Sequence, residues 1–391
     1  MNIDVRDSQN AKSHFAPLVS VIIPTFNEVA NVSKIAAAIG IALKGRDHEI
    51  VFVDDDSFDG TRTEIAKLAA AVPGIRLIHR IGRRGLSTAV TEGMLSTTAP
   101  LMVVIDADLQ HDESIIPEML SVLETNAADL VVGSRYIEGG GLGSWDQRRA
   151  QISAFATWLA KMVTKSDLSD PMSGFFAITR SAFDNSVRDL SGQGYKILLD
   201  ICASSKSPLR IQEVAYQFRT RQAGESKLDA LVTWEYLMLL ADKLVGHVIP
   251  ARFISFSLIG GLGVFVHMVV LSALLAAGLL GFVAAQGVAT FTAMVFNFFV
   301  NNTLTYRDRR LRGVREVIFG LFSFMLVCSV GAFANVGIAN YLFANSHYRW
   351  WSAGLAGILV GAVWNYATTS VFTWRVRKRR SGAANAPSVG R

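Results

Sequence analysis

Two cysteines in 391 residues, Cys202 and Cys328, are too few for a disulfide framework or a cysteine zinc site. The absence of charge is more informative. No Asp, Glu, Lys or Arg occurs from Phe253 to Tyr306, from Val317 to Tyr348, or from Trp350 to Trp374. With 51% hydrophobic residues, the chain is too apolar for an ordinary soluble protein. A bilayer core takes about 20 apolar helical residues per crossing. The first run therefore reads as two spans, broken near "AAGLLG", and the others as one each: about 253–277, 281–304, 317–343 and 351–374.

Acids are also scarce after residue 250. Residues 251–391 hold 13 Lys plus Arg against 2 acids, net +11, whereas residues 1–250 hold 25 against 30, net −5. The basic clusters "RDRRLRGVR" and "RVRKRR" flank spans, which marks the cytoplasmic side of a membrane protein rather than a nucleic-acid partner. The start, "MNIDVRDSQNAKSHF", is polar, so no cleavable signal is expected there. The expectation is a multi-pass membrane protein, in the inner membrane if the cell is bacterial. Its first 250 residues, its 307–316 loop and its C-terminus would be cytoplasmic, with short loops near 278–281 and 345–350 outside.

The first half alternates β-rich runs with helical stretches. "VSVIIPTFNE", "HEIVFVDDDS", "IRLIHR", "LMVVIDADLQ" and "DLVVGSRY" read as strands, with helices such as Val32–Leu43 and Thr61–Ala71 between them. That rhythm predicts a mostly parallel α/β sheet covered by helices on both faces, with ligands beyond the carboxyl ends of its strands. Polar residues gather at those ends: Asn27 and Glu28, Asp54 to Asp56, Asp106 and Asp108, and Arg135. Any one of them could cap a helix or a turn. Together they mark a site.

"VSVIIPTFNE", "VFVDDDSFDGT", "DADLQHD" and "DPMSGFFA" resemble the nucleotide-sugar domain of glycosyltransferase family 2. "RTRQAGESKL" further resembles the polyprenol-phosphate glycosyl synthase branch of that family, the enzymes like dolichol-phosphate mannose synthase. The resemblance spans roughly residues 18 to 230. It implies a GT-A (Rossmann-like) fold and transfer of a sugar from a nucleotide diphosphate to a membrane polyprenyl or dolichyl phosphate, with inversion. GDP-mannose is the first-choice donor and UDP-glucose the second. Asp106, Asp108 and Gln110 match the D-x-D-x-Q motif, whose oxygen donors suit Mg²⁺ or Mn²⁺. Pro24, Phe26, Glu28, Asp55 and Asp106 match donor-binding positions, and Phe26 stands where tyrosine is commoner. Arg221 and Lys227 match a basic pair that closes on the diphosphate. Arg135, Arg149 and Ser153 match the acceptor-phosphate positions, and Arg148 reads either as sharing that task or as facing lipid headgroups. The resemblance implies a catalytic group of Asp108, Asp170 and Arg135, with Asp170 orienting the sugar, because an ionised lipid phosphate needs little help from a base.

The second half carries a repeat. "FNFFVNNTLTYR" from Phe296 and "WNYATTSVFTWR" from Trp364 align at an offset of 68, pairing Asn297 with Asn365, Phe298 with Tyr366, Thr305 with Thr373, Tyr306 with Trp374 and Arg307 with Arg375. Each Asn lies ten residues before its Arg, roughly 15 Å along a helix and so near mid-bilayer, which predicts that both amides face the bundle interior. Gly357 and Gly361 form a G-x-x-x-G. The region resembles the GtrA-like four-span family, which implies an all-α transmembrane domain that anchors the enzyme or helps a glycolipid cross the bilayer. The resulting organisation is a polar tail (1–17), a glycosyltransferase domain (18–230), a juxtamembrane segment (231–250), a four-helix domain (251–375) and a basic tail (376–391). "KLDALVTWEYLMLLADKLVG" reads equally as an interfacial helix or as a helix of the catalytic domain. Homo-oligomerisation is left open. A processive polysaccharide synthase is disfavoured by the lack of Q-x-x-R-W, and a non-catalytic transporter by the intact acidic and basic motifs. A transferase with a non-phosphate lipid acceptor is the nearest rival.

Overall fold

The computed structural model describes residues 17–141, 158–161, 164, 168–192, 194–219, 230–246, 248–278, 280–345 and 350–375. The chain divides into two compact units at 247/248. The first is built on a seven-stranded sheet: β1 (Val19–Thr25), β2 (His48–Asp54), β3 (Ile75–His79), β4 (Leu101–Val104), β5 (Leu130–Ser134), β6 (Phe176–Thr179) and β7 (Ile211–Ala215). Its order is β3-β2-β1-β4-β6-β5-β7. The first four strands are mutually parallel, β6 runs antiparallel between β4 and β5, and β7 is parallel to β5.

Side-chain alternation along the strands feeds two cores. Val21, Ile23, Phe52 and Val103 point to the face covered by α1 (Val29–Ala42), α2 (Thr61–Ala71) and α4 (Ile116–Glu124), where Val32, Ile35, Ile65 and Met119 complete the packing. Ile22, Val51, Val53, Met102 and Val104 face α3 (Leu86–Leu95), α5 (Arg180–Ser186) and α6 (Ile197–Ser204). Sheets buried on both faces require such near-continuous apolar strands. Gly93 of α3 lets that helix settle on the sheet, since a Cβ there would stand 2.5 Å from Ile22 and 2.9 Å from Val53.

Helix α7 (Ala230–Val245) is packed as part of the first unit. Tyr236, Leu239 and Leu240 bury against Leu199 and Ala160, and Lys243 Nζ lies 2.6 Å from the fully buried Asp200 carboxylate. This geometry favours the catalytic-domain alternative for the segment.

Among the described residues, the second unit has four helices long and apolar enough to cross a membrane: α8 (Ala251–Ala276), α9 (Phe282–Thr303), α10 (Val314–Asn345) and α11 (Trp350–Phe372). They pair as two hairpins, α8 with α9 and α10 with α11. The offset of 68 relates their contacts as well as their sequences. Ser255 and Thr305 hydroxyls lie 2.6 Å apart in the first hairpin, and Ser323 and Thr373 lie 3.1 Å apart in the second. Gly263 gives room to Asn297, and Gly331 to Asn365; a Cβ on either glycine would come within 2.3 Å or 2.1 Å of that amide. Gly361 in turn approaches the Gly331 carbonyl.

Contacts between the hairpins come in matched crosswise pairs. Tyr306 Oη bonds Ser370 Oγ at 2.7 Å, and Trp374 Nε1 donates to Asn302 Oδ1 at 3.0 Å. Phe256 meets Tyr366 with ring centroids 5.8 Å apart, and Phe324 meets Phe298 at the same separation. Tyr306 and Trp374 stack on each other at 4.0 Å, nearly coplanar at 7°. The second unit is therefore a pseudo-two-fold pair of hairpins, with this stack on the axis. The sequence placed both amides in the bundle interior; the structure seats each against the glycine of its own hairpin, with its Oδ1 buried and unpartnered among the described residues.

Candidate active site

The carboxyl ends of β1, β2, β4 and β5 converge on one polar region. At β1, Pro24 is within the strand and Phe26 follows it, its ring covered by the Arg84 guanidinium at 4.2 Å and edged by Phe58 at 6.1 Å. Glu28 opens α1. Its backbone N–H donates to Thr61 Oγ1 at 2.8 Å, and its carboxylate accepts from Asn31 Nδ2 at 2.7 Å.

At the end of β2 the three aspartates separate into distinct tasks. Asp54 accepts from Ser57 and Asp56 pairs with His79 Nε2 at 3.0 Å. Asp55 is buried against Arg80 and also accepts from the Gly85 N–H at 2.7 Å. Burial raises the Asp55 pKa above its ordinary value, and the Gly85 and Arg80 hydrogen bonds pull against that rise. Arg80 itself is held by Glu92 at 3.1 Å and Thr88 at 2.6 Å, so Asp55 belongs to a rigid network.

β4 runs into Asp106, Asp108 and Gln110 through a turn in which Leu109 takes φ 61°. Asp108 Oδ1 accepts from the Gln110 N–H at 3.1 Å. The Gln110 side-chain amide donates to the Arg219 carbonyl at 3.2 Å, and the Arg219 N–H donates back to the Gln110 carbonyl at 2.8 Å. This ladder ties the acidic turn to the chain that leads into Arg221 and Lys227. Asp106 sits between His111 Nε2, 3.3 Å from its Oδ2, and Gly174, where a Cβ would stand 2.5 Å from the same oxygen. All donors of the turn are oxygens. Among the described residues no three His, Cys, Asp or Glu side chains gather into a metal cage, so a cation here would take further ligands from outside the protein.

At the end of β5, Arg135 grips Asp170 with both edges of one fork, Nε to Oδ2 at 2.7 Å and Nη2 to Oδ1 at 2.8 Å. Asp170 is only 1% exposed, and its N–H donates to Glu213 of β7 at 3.2 Å. The hydrogen bonds and charge of Asp170 outweigh burial and push the Arg135 pKa upward, so the guanidinium stays charged. The two residues form one ion-paired unit. Arg149, Ser153, Arg221 and Lys227, with Arg148, lie outside the described residues.

Sequence reading did not single out His111, Lys196 or Tyr216. Lys196 lies within electrostatic reach of Arg135, Asp106 and Asp170, and burial pulls its pKa down. Tyr216 feels Arg135, Asp170, Asp106 and Asp108, and burial pushes its pKa up. Both residues are thus electrostatic neighbours of the β4 and β5 ends at once. His111, directly after the D-x-D-x-Q run, was the one a closer look at spacing could have raised; Lys196 and Tyr216 arrive from distant segments.

Comparison with known proteins identifies the family of both units. Residues 20–186 match the glycosyl transferase family 2 model, and residues 255–374 match the GtrA/DPMS transmembrane domain. A dolichol-phosphate mannosyltransferase of Pyrococcus furiosus is 33% identical over 359 residues, 91% of this chain and 99% of that protein. Its namesake from Saccharomyces cerevisiae is 35% identical over 235 residues, covering 58% of this chain and 86% of that one. Among solved structures, glucosyl-3-phosphoglycerate synthase from Mycobacterium tuberculosis in complex with UDP is 20% identical with a TM-score of 0.43, covering 58% of this chain and 80% of that one. With both domains matched in order and a relative aligned over nearly its whole length, the chain belongs to glycosyltransferase family 2, in the group that joins a GT-A-like catalytic domain to a GtrA/DPMS multi-pass membrane domain.

Proposed function

We propose that the protein transfers a hexose from a nucleotide diphosphate sugar to a polyprenyl phosphate in the membrane, with GDP-mannose as first-choice donor and UDP-glucose as second. The observation that carries this reading is that an acidic turn, Asp106 and Asp108, and a buried, permanently charged guanidinium, Arg135, share Tyr216 as an electrostatic neighbour, at the ends of two strands that flank β6. The name of the relatives, dolichol-phosphate mannosyltransferase, supports the same chemistry.

Asp106, Asp108 and the Gln110 side-chain oxygen fit a hard divalent cation, Mg²⁺ or Mn²⁺, completed by donor diphosphate oxygens. Such a cation would offset the charge that builds on the departing nucleoside diphosphate. The protein's own part is positioning. Asp170 fixes the plane of the Arg135 fork, which suits a phosphate oxygen, and Arg149 and Ser153 complete the acceptor site. Phe26, Glu28 and Asp55 hold the nucleoside end, and Arg221 and Lys227 close on the diphosphate. The acceptor phosphate oxygen attacks the anomeric carbon opposite the leaving group in one displacement, so configuration inverts and no glycosyl-enzyme forms. Asp170, buried in its ion pair, orients the sugar.

The spans and their Arg-rich flanks support a cytoplasmic catalytic domain and C-terminus. The test is purified full-length protein in polyprenyl-phosphate micelles, offered a panel of labelled nucleotide sugars with Mg²⁺ or Mn²⁺. A labelled lipid that mild acid cleaves is expected. An acid-stable glycolipid would replace the phosphate acceptor with a neutral one, and no lipid product from any donor would sink the transferase reading.

A further inference from the structure

His111 is a buried polar ring whose place the reaction itself does not explain. It is 3% exposed and enclosed by Phe175, Tyr216 and Phe218, with ring centroids 5.4, 5.6 and 5.5 Å away. Its Nδ1 lies 2.7 Å from Tyr216 Oη, and its Nε2 lies 3.3 Å from Asp106 Oδ2. A carboxylate only accepts, so the hydrogen-bond network assigns the proton to Nε2, and Nδ1 then accepts from the phenol. The chain of donors runs Tyr216 to His111 to Asp106. On the far side of the carboxylate, a Cβ at Gly174 would stand 2.5 Å from Oδ2 and 3.3 Å from Oδ1. Oδ2 is thus held between an imidazole and a backbone, and Oδ1 is the oxygen left to face a cation.

We propose that His111, set by Tyr216, is a positioning residue that restricts Asp106 to one-oxygen ligation and so gives the site its preference for Mg²⁺ or Mn²⁺ over Ca²⁺. This rests on the cation site of the preceding section. Mg²⁺ demands near-octahedral geometry with short bonds, to which single carboxylate oxygens are suited. Ca²⁺ takes six to eight oxygens and gains from two-oxygen carboxylates. Freeing Asp106 to rotate would offer that second oxygen. Partners of this kind around metal ligands commonly alter affinity by about 10- to 100-fold.

The experiment measures Mn²⁺ binding to the full chain in detergent by electron paramagnetic resonance of the free ion, with GDP and in parallel UDP present, followed by displacement with Ca²⁺. Wild type is expected to bind Mn²⁺ and to resist Ca²⁺. Tyr216→Phe keeps the ring and removes only the hydroxyl, and His111→Gln keeps an amide in place of the imidazole. Both are expected to bind Mn²⁺ about tenfold more weakly, and to be displaced at lower Ca²⁺ relative to Mn²⁺. A circular dichroism melt confirms that Tyr216→Phe remains folded. If wild type binds no Mn²⁺ with either nucleotide, the cation site itself is wrong. If wild type binds and the variants keep both its affinity and its Ca²⁺ to Mn²⁺ ratio, the positioning role is overturned; equal losses for both ions overturn the selectivity.

Discussion

Asp170 engages Arg135 through both carboxylate oxygens, and the pair is nearly dry. Removing one member strands the other. Arg135→Ala is therefore expected to cost about 3–5 kcal/mol of stability as well as activity, because an unpaired carboxylate remains buried. Thermal melts of Arg135→Ala beside the double variant Arg135→Ala/Asp170→Asn check this: the second change should recover part of the loss. Asp108→Asn makes the contrasting case. It keeps shape and the Gln110 N–H contact at 3.1 Å, so it should melt like wild type while losing most transferase activity. Chelator should have the same effect on wild type, reversed by Mg²⁺ or Mn²⁺. Asp106, Asp108 and Asp55 were legible in the sequence because each ends a strand within a contiguous motif. Tyr216 and Lys196 were not, because the sheet order brings them to the acidic turn from about a hundred residues away.

Elements show the same division. Strands β1 to β5 announced themselves by apolar runs ended by polar residues. β6 has four residues and β7 mixes polar with apolar side chains, so neither carries a clear period, and the antiparallel insertion of β6 follows from pairing alone. β7, which pairs with β5, is pinned by Arg210, which bonds Asp129 at 2.7 and 3.1 Å and Asn126 at 2.8 Å. Hydrogen bonds from Arg210 hold the Asp129 pKa below the ordinary carboxylate value. A lowered folded-state pKa stabilises above the unfolded value, about 3.9, and that help fades as pH falls through the folded one. The stability gap between wild type and Asp129→Asn, read by urea unfolding, should thus be constant near neutrality and shrink below about pH 4. Within the membrane helices, glycines differ sharply. A Cβ at Gly263 would strike Asn297 at 2.3 Å, whereas one at Gly260 meets nothing within 4 Å. Gly263→Ala should lower the detergent melting temperature, and Gly260→Ala should leave it unchanged.

For the molecule as a whole, the charge-free runs were enough to count the four spans, and the 68-residue offset was visible in α9 and α11. The offset in α8 and α10 was harder to see. "SFSLIGGLGVF" from Ser255 and "SFMLVCSVGAF" from Ser323 share Ser, Phe, Leu, Gly and Phe, but in charge-free runs such apolar matches stand out less than the polar and aromatic ones of α9 and α11. Sidedness is open to direct measurement. In a version with Cys202→Ser and Cys328→Ala, a cysteine at Leu280 should react with a membrane-impermeant thiol reagent on intact cells, and one at Gly313 only after permeabilisation. The opposite pattern would invert the proposed topology.

A two-fold axis imposes a rule on whatever lies along it: in a pair of identical chains, an axial side chain can meet only its own likeness. Fusing the two hairpins into one polypeptide lifts that rule. Away from the axis the halves keep Ser255 with Ser323, Thr305 with Thr373, and Gly263 with Gly331, each serving its own hairpin. Across the axis the partners differ, Tyr306 against Trp374, Asn302 against Ser370, Phe298 against Tyr366. The stacked phenol and indole bond in opposite directions, one with a hydroxyl and the other, as donor, with an amide oxygen. Two copies of one hairpin could not divide that labour, so the seam of this bundle has a handed polarity that its outer flanks lack.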